Sequence, residues 1–113
     1  MKRIVDSKTL KVAARRIGIG LDVEKVILFG SYAWGRPDSH SDVDLFVIMK
    51  SKERPFERSM RVSSLLYPRP FPVDIMVRTP AEVKKRLSMG DFFIADIIGK
   101  GKVLYERPGQ RVD

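Results

Sequence analysis

The chain contains no cysteine, which excludes disulfides and thiolate metal sites. Asparagine is also absent and glutamine occurs once, a bias found in heat-adapted proteins. No apolar run approaches the roughly 18 residues that a membrane-spanning helix requires. The amino end, MKRIVDSKTLKV, is basic but has no apolar signal core and no small-residue cleavage site. These absences point to a cytoplasmic protein with no membrane partner.

What is present fits one small globular domain over 1–113, with 43% hydrophobic and 32% charged residues. Such a length buries one core, and hardly a catalytic domain with a separate substrate domain. Lysine and arginine number 22 against 14 acids, a formal net charge of +8. That excess favours anionic partners such as nucleotides, nucleic acid or an acidic protein face. The charges are spread along the chain, which suits a merely soluble surface equally well.

Periodicity sets out the elements. SKTLKVAARRIGIG carries Leu10, Val12, Ala13, Ala14 and Ile17 at helical spacing and ends in glycines. EKVILFGS reads as a buried strand, SYAWG as a helical turn, and DVDLFVIM as a second strand apolar on both faces. Val43, Leu45 and Val47 share one side of it, and Phe46 and Ile48 share the other with Asp42 and Asp44. Burial on both faces predicts a central strand covered by helices.

PFERSMRVSSLL reads as a helix offering Phe56, Met60, Leu65 and Leu66 to the core. Pro68, Pro70 and Pro72 then forbid regular helix. VDIMVR is a third strand. Thr79, Pro80 and Glu82 form a strong helix-start signal, Asp91 caps a further helix, and KVLYE is a last strand. Strands alternating with helices predict an α/β architecture with flanking helices. The spacing of the first two strands leaves their relative direction open. The tail, 107–113, is expected to fray.

The chemistry concentrates in LFGSYAWGRPDSHSDVDLFVI. Asp42 and Asp44 leave the same face of a strand, with Cα atoms about 6.5 Å apart. From there carboxylates can serve divalent ions spaced about 3.5–4 Å apart, the separation used in phosphoryl transfer. Mg²⁺ takes oxygen ligands, typically one or two carboxylates plus phosphate oxygens. Gly30 lets backbone approach a ligand closely, and Ser31 opens the helical turn where free N–H groups and a hydroxyl suit a phosphate. Asp74, between Val73 and Ile75 in the third strand, can complete a metal site and accept a proton if its strand neighbours that of Asp44.

Each feature has a plainer reading alone. Gly-Ser is usually a turn, Asp-x-Asp a cap or ion-pair partner, and an acid in an apolar run the partner of an arginine. Their joint order is what discriminates. Gly30-Ser31, ten intervening residues, Asp42-Val43-Asp44 and then Asp74 resemble the signature of the polymerase-β-like nucleotidyltransferase superfamily. The resemblance covers about 26–77 and is closest to the minimal nucleotidyltransferase (MNT) domain of HEPN/MNT toxin–antitoxin modules. It implies a small mixed sheet flanked by helices, two Mg²⁺ ions, and transfer of AMP from ATP to a hydroxyl with release of pyrophosphate. It assigns Gly30 and Ser31 to the triphosphate and Asp42, Asp44 and Asp74 to the metals and catalysis. It also implies a partner, a helical HEPN ribonuclease toxin whose tyrosine accepts the AMP.

Three alternatives stay open: an antitoxin acting by occlusion, a nucleotidyltransferase for a small hydroxylated molecule, and a nucleic-acid module. The last is not favoured. A homo-oligomer is compatible with the sequence. Among secondary candidates, Arg36 and His40 sit in the signature loop and Trp34 can stack on a base or cover the core. Arg58 and Arg61 can meet phosphate or a partner, Lys84, Lys85 and Arg86 suit a solvated helix face, and Met60, Met76 and Met89 fit core filling.

Overall fold

The computed structural model describes residues 4–109. Its elements run α1 (Ser7–Gly20), β1 (Lys25–Phe29), α2 (Ser31–Trp34), β2 (Val43–Ile48) and α3 (Pro55–Ser64). They continue with β3 (Val73–Arg78), α4 (Pro80–Ser88), α5 (Phe92–Lys100) and β4 (Lys102–Glu106). Local chemistry starts the helices where the sequence predicts. The Asp6 carboxylate accepts from the Thr9 N–H at 2.8 Å, and Asp91 accepts from the Ile94 N–H at 3.0 Å. Thr79 and Glu82 close a reciprocal capping box, Glu82 N–H to Thr79 at 3.1 Å and Thr79 N–H to Glu82 at 2.9 Å.

The four strands lie in the order β3-β2-β1-β4. β1 runs antiparallel to both β2 and β4, whereas β2 and β3 are parallel. The direction left open by spacing is thereby fixed. One helical turn is too little for a crossover, so the chain folds back from β1 to β2, while α3 carries the parallel return to β3. The expected mixed sheet with flanking helices is the observed one.

Both faces of the central strands are buried. On one side Val26, Leu28, Val43, Leu45 and Val47 pack with Leu10, Ala14 and Ile17 of α1 and Val62 of α3. On the other, Ile27, Phe29, Phe46 and Ile48 pack with Val83 of α4 and Ile94 and Ile97 of α5. Each fully buried aliphatic or aromatic side chain contributes about 1.5–3 kcal/mol.

Helix α3 departs from expectation. Phe56 and Met60 are 74% and 58% exposed, while Arg58 and Val62 face inward with Leu66 behind them. Two stripes of i, i+4 spacing compete here, and the arginine stripe is the buried one. The Arg58 guanidinium donates to both Glu82 oxygens at 2.6 and 3.2 Å, and its Nε donates to the Glu53 carbonyl at 2.8 Å. A bidentate partner and a backbone acceptor keep the charge satisfied inside. Arg58 therefore joins α3 to α4 and is not a free phosphate ligand, and Arg61 is held by Glu53 at 2.7 Å. Met60 and Met89 lie on the surface, and Met76 alone of the three packs against the core. In the tail, the Arg107 N–H donates to the Glu24 carbonyl at 2.9 Å, whereas residues 110–113 lie outside those described.

Candidate active site

The strand register assembles the site. Asp44 on β2 stands opposite Phe29 of β1 and opposite Asp74 of β3. Residues directly opposite on paired strands carry side chains on the same face, about 4.5–5.5 Å apart at Cβ. A row Phe29–Asp44–Asp74 therefore crosses three strands at one end of the sheet. Asp42 lies one residue before β2, on the same side as Asp44. The β2–β3 pairing, the condition on which Asp74 could join the site, brings Asp74 beside Asp44.

Electrostatics agrees with the register. Burial first, then the charge of Asp74, then that of Asp42, hold the Asp44 carboxyl above its ordinary value. Asp44 is half-buried, and Asp42 and Asp74 are exposed. Among the described residues none of the three is ion-paired or accepts a hydrogen bond from a protein group. Three clustered carboxylates without a counter-charge are unusual in a chain of net charge +8.

Gly30 makes the close approach possible. Its φ of 75° and ψ of −154° lie in a region that essentially only glycine occupies. A Cβ there would overlap Asp44 Oδ2 and come within 3.1 Å of its Cγ. The β1–α2 corner thus passes directly against the carboxylate. The Gly30 carbonyl accepts from the Ala33 and Trp34 N–H groups at 2.9 and 3.1 Å, which starts α2. The N–H groups of Ser31 and Tyr32 are left outside the intrahelical pattern. Ser31 Oγ has no partner among the described residues. α2 is only four residues long, so these local donors, more than a helix dipole, favour an anion.

The donor set fits hard divalent cations, since all its ligands are carboxylate oxygens with Asp44 at the centre. As placed, no three acidic, histidine or cysteine side chains among the described residues are gathered tightly enough to hold a metal ion. Like charges spread, and the exposed Asp42 and Asp74 have the rotational freedom to turn toward a shared cation.

Other expectations divide. His40 and Arg36 are exposed in the loop, and His40 lies 3.9 Å from Asp38. Arg86 is committed to Asp91 at 2.9 Å. Trp34 is 49% exposed and leans on Phe29, with ring centroids 6.5 Å apart. Phe93 meets Phe29 edge-on at 5.8 Å. An aromatic border therefore runs along the acids. Phe29 and Phe93 do not stand out in the sequence, because Phe29 reaches Asp44 through strand register and meets Phe93 through the docking of α5.

The four-stranded mixed sheet with its flanking helices is that of a nucleotidyltransferase-type domain, for which nucleotidyl transfer is the general chemistry. The sequence profile described as Polymerase beta, Nucleotidyltransferase matches residues 19–110, and the chain belongs to that family. The fold is also similar to the crystal structure, at 1.40 Å, of a Sulfolobus solfataricus protein provisionally assigned as a nucleotidyltransferase. Identity is 23%, the TM-score 0.65, and the match covers 94% of this chain and 85% of that one. At that identity the likeness shows the fold. No curated protein sequence matches the chain.

Proposed function

We propose that this domain transfers AMP from ATP, with Mg²⁺, to a hydroxyl on a partner protein. The acceptor in this reading is a tyrosine of a helical HEPN-type ribonuclease, and the domain acts as its antitoxin in the cytoplasm. The observation that carries nucleotidyl transfer is the unpaired row of Asp42, Asp44 and Asp74 beside the Gly30 corner.

Gly30 and Ser31 bind the triphosphate through backbone N–H groups and the serine hydroxyl. Asp42, Asp44 and Asp74 would hold two divalent ions, which supply charge neutralisation and polarisation at the phosphates when bound. Asp74, exposed on the outer strand of the trio, takes the acceptor proton. The acceptor oxygen bonds to the α-phosphorus, the bond to the bridging oxygen of the β-phosphate breaks, and pyrophosphate leaves. Phe29, opposite Asp44 on β1 and met edge-on by Phe93, borders the acids on that side.

The test uses ATP labelled at the α- or the γ-phosphate, Mg²⁺, this chain and the product of the adjacent reading frame. The reading expects α-label and no γ-label on the neighbour, lost with Asp44→Asn. Label that appears equally with Asp42→Ala and Asp44→Ala would remove it. Tight binding that silences the neighbour without nucleotide, and unchanged by those substitutions, would favour occlusion instead.

A further inference from the structure

Helix α1 buries Leu10, Ala13, Ala14 and Ile17 and turns a very different face outward. Lys8, Val12, Arg15 and Ile19 follow one another at steps of four, three and four residues, so they form a single exposed stripe. Val12 and Ile19 lie one heptad apart, and so do Lys8 and Arg15. Lys11 and Arg16 flank the stripe. The two aliphatic residues are 54% and 64% exposed. An open groove of about 480 Å³ runs past Lys8, Lys11 and Val12, and one of about 500 Å³ past Ile19 to Leu65.

Among the described residues the cations on this face form no ion pair, although Lys8 is near enough to Asp6 to help the Thr9 N–H hold its carboxyl below the ordinary value. Among the described residues no carboxylate lies within salt-bridge distance of Lys8, Lys11, Arg15 or Arg16. Elsewhere Arg58, Arg61, Arg86, Lys100 and Arg107 are ion-paired, while Arg36, Lys84 and Lys85 are among the described cations that, like those of α1, have no carboxylate at that distance. Beyond the cap Asp6, α1 has no acid of its own.

We infer that the outer face of α1 docks an acidic amphipathic helix of a partner protein. Val12 and Ile19 recur one heptad apart as two apolar contacts, set among the cations Lys8, Lys11, Arg15 and Arg16, a face that an amphipathic helix with flanking carboxylates complements. A partner helix would set apolar residues on Val12 and Ile19 and carboxylates on Lys8 and Arg15, with Lys11 and Arg16 closing the rim. A nucleic acid would use the cations, but it gains nothing from exposed aliphatics and finds no aromatic group on α1 for stacking. A second copy of this chain would oppose like charge to like.

The location suits a docking role. α1 covers the sheet face opposite to Asp44 and Asp74, so an occupant leaves the acids open. The amino end of α1 nevertheless reaches the acid end of the sheet, where the Val5 N–H donates to the Tyr32 hydroxyl at 3.1 Å. A groove of about 450 Å³ leads there from Asp6 and Thr9 to Ser41 and Pro72, which adjoin Asp42 and Val73. A chain leaving the docked helix at this end passes toward the site. That purpose rests on the transfer reading, whereas docking is measurable without nucleotide.

The test is fluorescence anisotropy of a synthetic amphipathic helix, leucine on one face and glutamate beside it, titrated with the full chain. A scrambled peptide of equal composition and a labelled RNA hairpin form the other arms. The amphipathic peptide should bind on the order of tenfold more tightly than the scrambled one, and K11E/R15E should weaken it by a similar factor. V12S/I19S should weaken it several-fold with the charges intact. All four substitutions are exposed, and Mg-ATP binding should be unchanged in both variants, which separates failure of docking from failure of the nucleotide site. Equal binding of the scrambled peptide, or tighter binding of the RNA hairpin lost through K11E/R15E, would overturn the proposal.

Discussion

Gly30→Ala tests the cradle beneath Asp44. The backbone contribution is about 1–3 kcal/mol, because φ of 75° with ψ of −154° is a glycine conformation. The new methyl also overlaps Asp44 Oδ2, so the Asp44 carboxylate must shift from its present position. The expected loss of stability is about 2 kcal/mol, or roughly 10 °C in melting temperature for a small domain. Mg-ATP affinity should fall on the order of a hundredfold, since an anchor carboxylate is displaced. Two glycines of the same chain calibrate the result. Gly90 has φ of 78° with nothing within 4 Å of a built Cβ, so Gly90→Ala reports backbone strain alone. Gly99 lies in α5 with open space around it, so Gly99→Ala should stabilise by about 0.5–1 kcal/mol. Differential scanning fluorimetry and calorimetric titration with Mg-ATP read both quantities. Full Mg-ATP affinity in Gly30→Ala, with a stability loss no larger than that of Gly90→Ala, would refute the close approach to Asp44.

Arg58→Ala leaves Glu82 without its internal partner and should cost about 2–4 kcal/mol in urea unfolding, less than a fully buried pair because Glu82 stays partly hydrated. The Arg58 hydrogen bonds, opposed by burial and aided by the Thr79 N–H, hold the Glu82 carboxyl below its ordinary value of 4.5. Its contribution is therefore present above that pH and lost as pH falls through the folded value, and Glu82→Gln should flatten this acid limb of a stability–pH curve. Asp44 has the opposite sign. With its carboxyl raised above 3.8, folding is penalised as pH climbs through the folded value. Asp44→Asn should thus stabilise the metal-free protein at pH 7 relative to pH 3, as read by thermal unfolding, while abolishing transfer. Tyr32→Phe removes the acceptor of the Val5 N–H and should cost about 1 kcal/mol in thermal unfolding.

Much of the fold is legible in the sequence because local rules and the hydrophobic period agree. Thr79 and Glu82 mark a helix start by a capping box that depends on nothing distant, and the doubly apolar run after Asp44 announces a central strand. The core of α3 is less legible. Phe56 and Met60 occupy the apolar stripe of a helix, yet Arg58 is the residue inside, because Glu82 from a later helix meets its guanidinium. Periodicity sees one helix at a time and cannot supply that partner. The candidate site divides in the same way. Gly30, Ser31, Asp42 and Asp44 stand out by spacing within one supersecondary unit. Asp74 is named by the sequence on the condition that its strand neighbours that of Asp44, which the parallel pairing meets, whereas Phe93 against Phe29 depends on the docking of α5 and becomes visible only once the elements are assembled.

The most direct test of the carboxylate row is calorimetric titration of ATP into the protein with Mg²⁺ and with excess chelator, in the wild type and in Asp44→Asn. Binding that requires Mg²⁺ and falls at least about tenfold in Asp44→Asn is the predicted result. Equal affinity with and without the metal, unaltered by the substitution, would contradict a shared metal–nucleotide site at Asp42, Asp44 and Asp74.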